Sequence, residues 1–188
     1  MNLFKIGALT FLLFAASALK SQGKANTSAA ADKGKPETKF TEVITTDSLP
    51  SSEILARAVN WVKLETPKYE KSNGVTTAGK AECIVKFSIK PKELNPPCDY
   101  TGHVTMKVLI EAKESRYRYT VNQIKHVSKS GKTSGGNIDN VVPECGSMTM
   151  NDTQWKKLKG EAIKNAMLVV GDLKEAMKKD SKAVGDEW

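Results

Sequence analysis

Residues 102–126 read GHVTMKVLIEAKESRYRYTVNQIKH. In the first half, Val104, Met106, Val108 and Ile110 fall on alternate positions and share one face. In the second half, Tyr117, Tyr119 and Val121 share a face opposite Arg116, Arg118, Thr120 and Asn122. Alternation over windows this long predicts two strands, since successive side chains of a strand point to opposite faces. Lys113–Ser115 is a short reversal, so the two strands form a hairpin. Its turn, Glu114-Ser115, lacks the glycine that hairpin turns favour. One apolar and one polar face per strand predicts an antiparallel sheet covered on one side only.

The flanking sequence supplies the cover. Cys83, Val85, Phe87 and Ile89 alternate with Glu82, Ile84, Lys86 and Ser88, a further strand over 81–89. Residues 40–46 (FTEVITT) are β-branched and suit a short strand. Ile54, Leu55, Ala58, Val59, Trp61 and Val62 then recur at helical spacing, with Ser51 as the expected N-cap and Pro67 past the end. Residues 128–150 are glycine-containing loop, with an edge strand expected near 138–142. Trp155, Leu158, Ala162, Ala166, Val170, Leu173 and Met177 form the stripe of a long last helix, capped by Asn151 or Asp152. The order is β-α-β-β-β(-β)-α. The predicted class is α+β, two-layer, an antiparallel sheet with two helices on one face.

Several of these segments carry a resemblance. The KFTEVI strand (39–44), LPSSEILARAVNWV (49–62), the hairpin of 102–126 and the final helix with WKKLKGEAIKNAM and LKEAMKK resemble the domain of unknown function numbered 4468. That family occurs in exported proteins of Bacteroidetes. The resemblance spans most of 39–180 and implies a TATA-binding-protein-like fold. It implies no activity, and so no functional residues.

Residues 1–18 (MNLFKIGALTFLLFAASA) combine Lys5, an uncharged apolar run and small residues at 16–18, the pattern of a secretory signal peptide. Residues 19–38 have no apolar periodicity and read as a flexible linker. The expected organisation is signal peptide 1–18, linker 19–38, one domain over 39–180 and a frayed tail over 181–188. The mature chain is expected to be periplasmic or extracellular, with no membrane span after cleavage. The chain has 29 Lys+Arg against 21 Asp+Glu, a net charge of +8. Lys5 leaves with the leader and the Leu19–Lys39 stretch holds +3, so 40–188 carry only +4. A spread-out +4 on an exported domain argues against nucleic acid as the partner.

The chemistry-bearing motifs fail one by one. Gly131-Lys132-Thr133 would end a phosphate loop, but its first glycine would have to be His126. His103 and His126 are the only histidines and lie on or beside strands. No metal site, cofactor or catalytic residue is expected. Cys83 reads as a core thiol. Cys98 and Cys145 lie in loops of an exported chain and are candidates for a disulfide closing about 48 residues. The open sheet face offers Lys86, Lys107, Arg116 and Arg118 as a surface for an acidic ligand or an envelope protein. These features point to a non-catalytic binding domain at the cell envelope. An envelope hydrolase is the alternative, and nucleic-acid binding through the open face the third reading.

Overall fold

The computed structural model describes residues 37–178. The expected leader (1–18), the linker up to 36 and the tail from 181 lie outside them. The last two linker residues are already part of the domain: the Thr38 amide donates to Asp139 Oδ1 (2.9 Å), and Glu37 Oε1 accepts the Gln123 amide.

The elements run β1 (Phe40–Thr45), α1 (Ser51–Lys63), β2 (Glu70–Thr77), β3 (Lys80–Ile89), β4 (Gly102–Lys113), β5 (Arg116–Ser128), β6 (Gly136–Asn137) and α2 (Asp152–Lys178). They form one antiparallel sheet in the order β1-β5-β4-β3-β2, with β6 also on β5. The predicted α+β two-layer class is the observed one. β2 was not predicted, and the edge strand expected near 138–142 lies instead at Gly136–Asn137. β2 escapes a pattern reading because almost all of its residues are polar and exposed.

The β4–β5 hairpin is the centre of the sheet. Val108 faces Val121, Ile110 faces Tyr119 and Ala112 faces Tyr117, all buried. Ser115 takes the left-handed conformation that a glycine would otherwise supply (φ +57°). Farther along, Gln123 and Ile124 stand against the single residue Met106. This bulge, with Gln123 at φ +54°, shifts the inward positions of β5 from odd to even numbers. Ile124, His126 and Ser128 are therefore buried, while Lys125 and Val127 face out. Gly102 ends the pairing opposite Ser128, where a Cβ would collide with the Val127 carbonyl.

Both helices lie over the apolar face. α1 buries Ile54, Arg57, Ala58 and Trp61. Its N-cap position is Pro50, not the expected Ser51. Ser51 sits one residue later, and its amide and hydroxyl both donate to Glu114 Oε1 (3.1 and 2.7 Å). The acceptor for the helix start thus comes from the hairpin turn, which no local sequence window contains. These bonds hold the Glu114 carboxyl below its usual range. α2 starts with a capping box, in which the Gln154 amide donates to Asn151 Oδ1 (3.0 Å) and the Asn151 amide to Gln154 Oε1 (3.4 Å). Its buried stripe is Trp155, Leu158, Ala162, Ala166, Val169, Leu173 and Met177, with Val169 in the place expected for Val170. Arg57 joins the helices by donating to the Met177 carbonyl (3.0 Å). Tyr119 and Lys174 both donate to Glu42, which joins α2 to β1.

Leu158 is fully buried at the centre of this packing, while Met167 is 62% exposed on the same helix. Leu158→Ala is expected to lose about 2–5 kcal/mol in urea unfolding. Met167→Ala is expected to stay within about 0.5 kcal/mol of the parent. Equal losses would contradict this assignment of the buried stripe.

Candidate functional site

The open sheet face separates the four expected cations and pairs three of them. Lys86 meets Glu70 (3.1 Å), Lys107 meets Glu82 (3.0 Å) and Arg118 Nε donates to Glu111 (2.7 Å). Lys80 also reaches Glu111 (3.2 Å). Each pair spans neighbouring strands, where opposite charges support the register by a few tenths of a kcal/mol. Arg116 lies at the hairpin end beside Arg118, Val43 and Glu111, and forms no ion pair among the described residues. The face is a lattice of matched charges, and the four residues do not converge on one point.

A different region does converge. The end of α1, the connection to β2, the start of β2 and the last turns of α2 enclose a cleft of about 500 Å³. Leu64, Trp61, Tyr69 and Ala176 give it apolar walls, and Lys71 projects into it from β2. Register explains that direction: Lys71 stands opposite buried Val85, so it lies on the helix side of the sheet. The Lys71 ammonium donates to the Trp61 carbonyl and rests 4.4 Å from the centre of a Trp61 ring. Among the described residues, no carboxylate lies within ion-pair distance of it. Burial pulls its pKa below the ordinary lysine value.

Asp172, Glu175 and Tyr69, which also line the cleft, are held or deactivated. Asp172 is paired with Lys68 (3.0 Å), and Glu175 accepts from Lys178 (2.8 Å). Burial, then the Asp172 charge, pushes the Tyr69 hydroxyl far above its usual pKa. Cys83, beneath the cleft, is pushed up to about 11 by burial, with Lys71 opposing the shift. An activated nucleophile or base needs the opposite displacement, toward neutrality, which among these groups only Lys71 shows. What the arrangement can do chemically is enclose an apolar body and offer it one desolvated cation. Sequence reading missed the cleft because β2 was missed with it. The signals present were Tyr69 and the Asn73-Gly74 pair within a polar run.

Both histidines are accounted for. His126 is fully buried, accepts the Gly135 amide at Nδ1 (3.0 Å) and faces the Tyr100 carbonyl with Nε2 (2.9 Å). The proton therefore sits on Nε2, and burial lowers the pKa, so the ring is neutral. Gly135 must be glycine, because a Cβ there would collide with the Trp155 ring. His103 lies on the open face, lowered first by burial and then by Lys86. The described residues hold no cluster of His, Cys, Asp and Glu suited to a metal, and no helix among them is long and apolar enough to cross a membrane.

The structure shows no bridge between Cys98 and Cys145, the pair expected to form a disulfide, and Cys83, Cys98 and Cys145 are all free in it. The loops are fastened without it. Thr133 Oγ1 donates to the Asp99 carbonyl (2.8 Å), and the amides of Glu144 and Cys145 donate to the carbonyls of Gly135 and Ser134 (both 3.1 Å). Burial raises both thiol pKa values, and for Cys98 a neighbouring Cys145 charge adds to it, which disfavours the thiolate that exchange requires.

No protein-family model and no curated protein matches the sequence. Two solved structures share the fold. One is a TBP-like protein from Parabacteroides distasonis, 12% identical, covering 77% of this chain and 94% of its own, with a TM-score of 0.53. The other is a DUF4468 family protein from Bacteroides ovatus, 10% identical, covering 78% and 92%, with a TM-score of 0.50. At these identities the likeness is one of fold, and a TBP-like α+β fold is what the sequence resemblance implied. Fold alone assigns no function.

Thiol titration of unfolded, non-reduced protein is expected to count three free thiols. A count of one would contradict the free state of Cys98 and Cys145.

Proposed function

We propose that this chain is an exported, non-catalytic binding domain of the cell envelope, with the Trp61–Tyr69–Lys71 cleft as its ligand site. The observation that carries the reading is the chemistry of that cleft. Apolar walls and an unpaired ammonium suit binding, while Tyr69 and Cys83 are displaced away from reactivity. The leader-like residues 1–18 support export. The open sheet face, once its charges are matched, offers little to a phosphate backbone. Phosphate-driven affinity depends on cations that are free to neutralise it.

Two measurements test this. Expression of the full chain is expected to yield a mature species in the envelope or medium whose first residue lies near 19. Retention of Met1 in a cytoplasmic species would overturn the export reading. Fluorescence anisotropy with a labelled 20-nucleotide DNA is expected to show no binding at 20 mM salt. Tight binding that weakens steeply with salt would restore the nucleic-acid reading.

A further inference from the structure

We infer that the cleft selects organic acids: a small carboxylate with an aromatic or branched apolar body, its carboxylate on the Lys71 ammonium and its body against Leu64, Tyr69 and Ala176. The inference rests on the cleft being a ligand site and adds the class of ligand.

Lys71 is mismatched with its surroundings. An ammonium withdrawn from water is costly unless it is paired and hydrogen-bonded. Lys71 is half-buried, yet its bonding comprises one backbone carbonyl and the faces of two rings, Trp61 at 4.4 Å and Tyr69 at 5.7 Å. Two of the acids that line the cleft are bonded to other lysines, Asp172 to Lys68 and Glu175 to Lys178, and the Asp172 charge acts on Lys71 without an ion pair. Across the sheet the opposite arrangement holds, with Lys86, Lys107 and Arg118 each ion-paired to a glutamate. The ammonium thus retains donor capacity at the mouth of an apolar enclosure. The ligand group that completes it is an anion small enough to approach between the rings. The volume, about 500 Å³, falls within the range that holds a drug-sized molecule. The lining as a whole carries Arg57, Lys63, Lys68 and Lys71 against Glu65, Asp172 and Glu175, so an approaching anion meets no excess of negative charge. A neutral ligand would fill the walls and leave the ammonium as it is. A cationic ligand would be repelled by it.

The test uses the full chain labelled with ¹⁵N and three probes of matched shape: 2-naphthoate, neutral 2-acetylnaphthalene and cationic 2-naphthylmethylammonium. Amide and indole shifts of Trp61, Tyr69 and Lys71 are followed by titration. 2-Naphthoate is expected to bind at least tenfold more tightly than the neutral probe, and the cation not at all. Lys71→Met is expected to erase the preference while neutral binding stays within twofold, and Lys71→Arg to retain it. Unfolding curves of both variants establish that they fold. Equal affinity for naphthoate and the neutral probe would overturn the acid selectivity while leaving the cleft a ligand site. No shift change at these residues with any probe would overturn both, and would assign the cleft to a protein partner or to another segment of this chain.

Discussion

The two-for-one bulge in the central hairpin is the constraint on which the rest of this structure rests. Were β5 regular, the odd-numbered positions that bury Tyr117, Tyr119 and Val121 would go on to bury Lys125 in a charged state. Setting Gln123 and Ile124 against Met106 moves Ile124, His126 and Ser128 inward instead. The buried imidazole then becomes an anchor. Its two nitrogens engage the Tyr100 and Gly135 backbones, so the loops before β4 and after β5 are held by one side chain. One buried side chain thus fastens two loops that no disulfide joins in this structure.

The opposite end of the hairpin acts on the helices. Glu114 reaches from the turn to the first residue of α1, and the Ser115 amide donates to the Leu49 carbonyl (3.0 Å). The start of α1 is fixed by the sheet, and its middle is tied to the end of α2 by Arg57 on the Met177 carbonyl. With both helices so placed, Trp61, Leu64, Asp172 and Ala176 come together over the start of β2. The cleft follows from the hairpin's geometry, at a distance from the hairpin itself.

Much of the fold was legible in the sequence because the information was periodic. The alternation in β3, β4 and β5 and the stripes of α1 and α2 each repeat a local rule, and burial follows them closely. What escaped depends on residues distant in sequence. Ser51 looks like an N-cap until Glu114 is seen to supply the acceptor. β2 has no apolar alternation, and its polar residues befit an edge strand open to solvent. Lys86, Lys107 and Arg118 read as a cationic surface only while their strand neighbours are unknown. Register sets Lys86 opposite Glu70, Arg118 opposite Glu111 and Lys107 diagonal to Glu82, and that pairing is invisible to composition. Lys71 is the converse. It sits among polar residues in sequence and among aromatic rings in space.

The two faces of the sheet therefore divide the charge in different ways. On the open face, Lys86, Lys107 and Arg118 are matched by glutamates of adjacent strands and exposed to water, where each pair contributes little. On the helix side, the half-buried Lys71 ammonium has no carboxylate at ion-pair distance among the described residues. The claim that Lys71 is a desolvated and incompletely paired cation is the one from which the site assignment and the ligand class both descend. It is tested most directly by titrating the lysine side-chain resonances of the unliganded protein by NMR. Lys71 is expected to titrate below the other lysines, because burial disfavours its charged form. Titration together with the exposed lysines, near the ordinary value of about 10.4, would contradict the account.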